Sequence, residues 1–176
     1  RRSNKADNSK QTDGLELTIE APMGLARLLR LGSSLSINGV CLTATNINKK
    51  KGKAFIKVFL MNESLRLTTF ATVKAGQILN LEPSLRLGDE ISGHFVFGHV
   101  DGVGTIRKIL KDGKSTIMTI ETPASIATFF VPKGSVSMDG ISLTIIKNPK
   151  ASPKNAFSVA LIPHTMKLTN LKYKKI

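Results

Sequence analysis

The chain has 176 residues, 41% of them hydrophobic, and a net charge of +14 from 26 Lys+Arg against 12 Asp+Glu. That composition supports one core or two modest ones and excludes a disordered chain, and no window approaches the roughly 18 uninterrupted apolar residues of a membrane helix. A single cysteine excludes an internal disulfide, and neither a CxxC pair nor a His/Cys cluster is present to hold a metal.

Residues 1–14 are polar, end in the turn pair Asp13-Gly14 and read as a surface loop, with no apolar signal core after Arg1-Arg2-Ser3. A soluble, non-secreted protein is expected. Leu15 to Ala21 alternates as a strand, and Pro22 with the spacing of Leu25, Leu28 and Leu29 predicts a short helix leading to Gly32. Ser34 to Thr45 is a strand broken by Asn38-Gly39, a pair suited to a turn. Lys49 to Lys53 is read as a hairpin loop, Ala54 to Leu60 as a strand, and Leu79 to Glu82 as another. Further on, Thr105 to Leu110 and Thr116 to Glu121 are predicted strands, Ala124 to Phe130 a short helix, and Ser135 to Ile146 a strand carrying Asp139-Gly140. Asn148 to Asn155 is a Pro-bearing loop, and Ala156 to Leu161 closes a hairpin.

The second half repeats the first at an offset of 101. Ser34-Leu35-Ser36-Ile37-Asn38-Gly39-Val40-Cys41-Leu42-Thr43 returns as Ser135-Val136-Ser137-Met138-Asp139-Gly140-Ile141-Ser142-Leu143-Thr144, and segments 17–22 and 61–69 recur at 118–123 and 162–170. A period this long matches a small domain, not a solenoid unit. The expected fold is therefore all-β: two tandem homologous small antiparallel Greek-key β-barrels, each with a short helix, divided as 1–90 and 91–176. Thr105 to Leu110 has only the polar stretch 4–9 as its counterpart, and 74–82 has none after Lys175. The first barrel is thus expected to lack its first strand, the second its last, and the chain to be trimmed at both ends.

Between the copies, residues 88–104 hold two of the 3 histidines and five of the 14 glycines. His94 and His99, five apart, fall on opposite faces of a regular strand, so a shared site requires a turn between them. Read from residue type alone, both histidines suit a structural role as well as a chemical one, and Cys41 suits packing as well as reactivity. The lysine clusters 49–53 and 172–175 read as solvated loops; with 5% aromatics and no Trp, a nucleic-acid surface has no stacking platform.

The run Gly93-His94-Phe95-Val96-Phe97-Gly98-His99-Val100-Asp101-Gly102-Val103-Gly104 gives the first specific sign of function. Together with Ser36 to Thr45, Met138 to Thr144 and Ile162-Pro163-His164-Thr165, it resembles the riboflavin synthase alpha-chain family over residues 15–176. Ser92 and Phe97 stand where that family commonly has Gly and a small polar residue, and Pro83 where it has Arg. The resemblance also leads to the expectation that the family's N-terminal Met-Phe-Thr-Gly segment and C-terminal helix are missing here.

The resemblance implies a cofactor-free, metal-free dismutation of two 6,7-dimethyl-8-ribityllumazine molecules to riboflavin and 5-amino-6-ribitylamino-2,4(1H,3H)-pyrimidinedione. It further implies a cytoplasmic or plastid homotrimer with donor and acceptor held between neighbouring subunits, lumazine synthase as a further candidate partner, and neither nucleic acid nor membrane as one. By the same resemblance the catalytic residues are Ser34, Cys41, His99 and His94. Substrate contacts fall on Thr43, Glu63, Ser64 and Gly93, and in the second barrel on Asp139, Gly140, Ser142, Thr144, Ile162 and Thr165. The rival expectation is a non-catalytic antenna-type lumazine- or flavin-binding protein of the same fold. Cys41 against Ser142 and Asn38 against Asp139 are the mismatches within the repeat that could give two bound copies of one substrate different roles.

Overall fold

The computed structural model describes residues 14–146 and 155–176. The polar start of the chain, with the segment expected to mirror Thr105 to Leu110, lies outside these residues, as does the Pro-bearing loop apart from Asn155.

The first sheet contains β1 (Gly14–Ala21), β2 (Ser34–Ile37), β3 (Val40–Lys50), β4 (Lys53–Met61) and β5 (Leu81–Pro83), in the order β1-β4-β3-β2-β5. The second contains β6 (Thr105–Asp112), β7 (Ser115–Glu121), β8 (Ser135–Met138), β9 (Ile141–Ile146) and β10 (Ala156–Leu161), in the order β6-β7-β10-β9-β8. All pairings are antiparallel. In each sheet three hairpin-linked strands form a meander, and the strand preceding them returns beside the third, which is Greek-key connectivity. Helix α1 (Met23–Leu28) in the first copy corresponds to α3 (Ala124–Ala127) in the second.

Strand alternation puts one row of each sheet on its own core. Leu35, Ile37, Leu42, Ile56, Val58 and Leu60 meet Phe70 in the first barrel; Met118, Ile120, Ile145, Val159 and Leu161 meet Phe157 and Leu171 in the second. Two separate apolar centres are what a duplicated domain requires.

Three sequence expectations need correction. The Lys49 to Lys53 loop is a two-residue turn: β3 runs through Lys50, and only Lys51 (φ 49°) and Gly52 (φ 76°) leave the strand, taking the left-handed pair that suits the twist of a hairpin. The short helix of each copy is shorter still, stopping at Leu28 in α1 and at Ala127 in α3. Each copy also has a second helix, α2 (Asn62–Leu67) and α4 (Pro163–Leu168), followed by a turn of 3-10 helix at 69–72 and 170–173. The signal for α4 was Pro163 at the first helical position, where a missing N–H costs nothing.

The copies also differ at their edges. β5 covers the outer edge of β2 through Ser36↔Glu82 and its neighbours, and Pro83 ends that edge without a ladder N–H. Among the described residues no strand covers the matching edge of β8, while β6 adds a strand beside β7.

Candidate functional site

In β2 and β3 the period of two turns Leu35, Ile37, Leu42 and Ala44 inward, leaving Ser34, Ser36, Cys41 and Thr43 on the outer face. Register joins them in rows, Ser34 opposite Thr43 and Ser36 opposite Cys41. The second barrel repeats the arrangement with Ser135 opposite Thr144 and Ser137 opposite Ser142. Each barrel therefore presents a small polar face outward, one with a thiol and one with hydroxyls alone.

The turns that lead into these faces need positive φ at both central residues: Asn38 (47°) with Gly39 (80°), and Asp139 (49°) with Gly140 (83°). They meet back to back, so that a Cβ on Gly39 would lie 2.6 Å from the amide nitrogen of Gly140. Cys41 and Ser142 each lie two residues beyond this meeting point.

Residues 93–98 strap the two faces together. Gly93 (φ 80°) lies against Ser142, where a Cβ would come within 2.5 Å of Oγ, and Gly98 (φ 78°) lies against Cys41 as closely. The Cys41 N–H donates to the Gly98 carbonyl at 2.9 Å, and His94 Nδ1 is 2.7 Å from Ser142 Oγ. The two glycines supply the bends that the five-residue spacing required, and they bring each histidine to a different barrel. His94 is half-buried on the second face; His99 is exposed next to the first.

Sequence reasoning passed over Glu82. Register extends the row from Cys41 through Ser36 to Glu82, giving the first face a carboxylate, and desolvation holds that carboxyl above the usual carboxylate range. The signal was present in the alternation of Asn80, Leu81 and Glu82, which puts Glu82 on the side opposite the core-packed Leu81.

Other expected site residues are placed elsewhere. Glu63 makes a bidentate ion pair with Arg66 at 2.6 and 2.8 Å, which lowers its carboxyl below the ordinary value; both groups are exposed. Ser64, near the start of α2, offers its carbonyl to Thr68 Oγ1 at 2.6 Å, and Thr165 does the same for Thr169 at 2.8 Å in the other copy. Ile162 is exposed immediately before α4. The Asp139 carboxylate is engaged by Lys174 at 2.6 Å and by Asn170 at 3.1 Å. A cleft of about 720 Å³ between the copies is lined by His94, His99, Asp139 and Gly140, with Phe95, Phe97 and Phe129 exposed along it. Cys41, Thr43, Ser142 and Thr144 are not part of that cleft; they lie on the open faces. No group of His, Cys, Asp and Glu able to hold a metal occurs among the described residues.

Two equivalent polar faces on a duplicated scaffold agree with the family comparison, in which the lumazine binding domain matches twice, at residues 3–84 and 97–176. The riboflavin synthase of Brucella abortus (strain 2308) is 39% identical over 167 residues, 94% of this chain and 80% of the relative. The chain belongs to the riboflavin synthase family. The riboflavin synthase of Chlamydia trachomatis serovar D is 41% identical over 145 residues, spanning 82% of this chain and 67% of that protein. Among solved structures, LumP complexed with riboflavin superposes with a TM-score of 0.79 at 19% identity, over 95% of this chain and 86% of that one. LumP complexed with 6,7-dimethyl-8-(1'-D-ribityl) lumazine gives 0.76 at 18%, over 95% and 85%. These structures share the fold of this chain, and the sequence relatives carry the family assignment.

Proposed function

We infer that this chain is a riboflavin synthase, converting two 6,7-dimethyl-8-ribityllumazine molecules into riboflavin and 5-amino-6-ribitylamino-2,4(1H,3H)-pyrimidinedione by four-carbon transfer. The observation that carries the reading is the pair of outward polar faces, built on equivalent residues yet chemically unequal. A dismutation needs two copies of one substrate in two roles. Two copies of one barrel supply the matched sites, and Cys41 against Ser142 supplies the difference.

One lumazine loses a proton from its C7 methyl group, and the other is attacked at C7. His99 and Glu82 are the proton-transfer groups assigned to the first face, and Cys41 with Ser34 the groups that add to or orient a nucleophile there. On the second face Ser142 and Thr144 bind the heterocycle, with His94 orienting the Ser142 hydroxyl. Thr43 and Gly93 complete the two pockets, and Glu63, Ser64, Ile162 and Thr165, placed at equivalent helix starts, border the ribityl chains. Asp139 and Gly140 act through the turn that carries Ser142. No cofactor or metal is assigned to the reaction.

The barrels divide at 90 and 91 in this reading, and copies of the chain assemble as a homotrimer with donor and acceptor meeting between neighbours. The exposed Leu85, Leu87, Ile91 and Phe97 support such an assembly, since they form apolar surface in need of a partner. We place the reaction in the cytoplasm, with a plastid as the alternative compartment and lumazine synthase as a candidate partner.

The test is to incubate the protein with 6,7-dimethyl-8-ribityllumazine and follow flavin absorbance in the visible, where the lumazine does not absorb. The expected result is one riboflavin formed for two lumazines consumed. Tight binding with no riboflavin formed sinks the enzyme reading and promotes the antenna one.

A further inference from the structure

Where the two turns meet, a cluster of amides from both copies closes the joint. Asn80, just before β5, donates its backbone N–H to Asn38 Oδ1 at 2.8 Å and accepts the Asn38 N–H at its own carbonyl at 2.9 Å. Its side chain crosses to the other copy: Nδ2 donates to the Asp139 carbonyl at 2.9 Å and to Asn170 Oδ1 at 3.0 Å, while Oδ1 accepts the Asn170 N–H at 2.9 Å. Asn170 returns the crossing, its Nδ2 donating to Asn38 Oδ1 and to Asp139 Oδ2, both at 3.1 Å. Lys174 Nζ caps Asp139 Oδ2 at 2.6 Å.

In this network both side-chain amide hydrogens of Asn80 and both of Asn170 are used, and the side-chain oxygen of each accepts one bond. Flipping either amide would turn donors on donors, so each side chain has a single orientation. Asn38 and Asn170 are buried, and the Asn38 Nδ2 has no partner among the described residues. A merely cohesive interface would be better served by apolar side chains; a crossed and saturated amide pair fixes one relative arrangement of the barrels. None of the cluster's hydrogen bonds involves the outward groups of the two faces. The cluster grips Asn38 and Asp139, three residues from Cys41 and three from Ser142.

We propose that Asn80 and Asn170 are positioning residues for the two-substrate reaction, locking the angle between the barrels and hence the alignment of the two reacting rings. The proposal rests on the reading of the chain as a riboflavin-forming enzyme. Each face binds its own ligand whatever the angle between the barrels, but four-carbon transfer succeeds only when the rings meet in register. The amide pair therefore acts on turnover more than on binding, whether the rings meet within one chain or between neighbouring copies.

Asn170→Ala and Asn80→Ala test this, with riboflavin formation giving kcat and KM, and quenching of riboflavin fluorescence giving product affinity and stoichiometry. The expected result is a fall in kcat of about 100-fold, the scale of a displacement near 1 Å, with KM and riboflavin affinity within about threefold of wild type. Proportional loss of kcat and riboflavin binding overturns the proposal, because it marks a residue that only holds the fold. Unchanged kcat in folded variants overturns it as well. If either alanine variant fails to fold, as read by circular dichroism, the other decides, and if both fail, Lys174→Met at the rim must lower kcat at constant KM for the proposal to stand. A wild-type chain that makes no riboflavin overturns both the function and this inference, whereas an active wild type with unaffected variants overturns the inference alone.

Discussion

The outer face of the first barrel and that of the second are built from the same strands, turns and registers, yet they are not chemically interchangeable. On the first, Cys41 lies in a row with Ser36 and Glu82, the last contributed by a strand that covers the edge of β2. On the second, Ser142 takes the thiol's place, His94 is hydrogen bonded to it, and no described strand covers the edge of β8. The backbone duplication gives two congruent faces, and a few side chains then make them chemically unequal. Symmetric binding with asymmetric chemistry is what a reaction between two identical molecules demands.

Cys41→Ser is the sharpest way to break this contrast, because it gives the first face the hydroxyl of the second at almost constant shape. Turnover should fall by roughly 100-fold, in the range of lost acid–base or nucleophilic assistance, while riboflavin affinity changes little. Adding Ser142→Cys to that variant should not restore the rate, since among the described residues no strand brings a carboxylate beside it on the second face. Rescue by the double variant would mean that the faces are chemically equivalent after all.

The strap allows each face to be disturbed separately. An alanine at Gly98 or Gly93 would meet Cys41 or Ser142 within 2.6 Å and would also be held at positive φ, a strain of order 1–3 kcal/mol at each site. Gly98→Ala should remove one riboflavin equivalent at the first face, and Gly93→Ala one at the second, as counted by fluorescence titration. Loss of both equivalents from either substitution would show that the strap moves as one piece.

Much of this contrast can be read from the chain alone, because the offset of 101 aligns Cys41 with Ser142 and Asn38 with Asp139. The turns were legible for the same reason, as Asn-Gly and Asp-Gly tolerate the left-handed backbone. What could not be read was long-range. Nothing local to Asp139 says that its carboxylate meets Lys174 and Asn170. Nor does the sequence say that Gly93 packs against Ser142 and Gly98 against Cys41, so that the strap touches both barrels. Glu82 was missed because its relation to Cys41 exists only through the pairing of β5 with β2 and of β2 with β3.

Glu82 also gives the smallest and cleanest difference between the faces, since the second barrel has no described counterpart to it. Desolvation raises its carboxyl above the ordinary 4.5, so the folded state holds this proton more tightly than the unfolded state does. Its contribution to stability is then fully present below the unfolded value and is lost as pH rises through the folded one. Glu82→Gln should accordingly match wild type in acid and exceed it slightly in urea midpoint at neutral pH. Glu63→Gln has the opposite sign, because Arg66 lowers that carboxyl: its contribution is present above the unfolded value and lost as pH falls through the folded one, and solvent exposure keeps the effect small. If Glu82 accepts a proton during turnover, the same Gln variant should also lose the acidic limb of the kcat/KM profile, which Glu63→Gln should retain. A variant that gains stability but keeps the wild-type profile would leave Glu82 as a desolvated neighbour of Ser36, and the chemical asymmetry between the faces would then rest on Cys41 and the histidines.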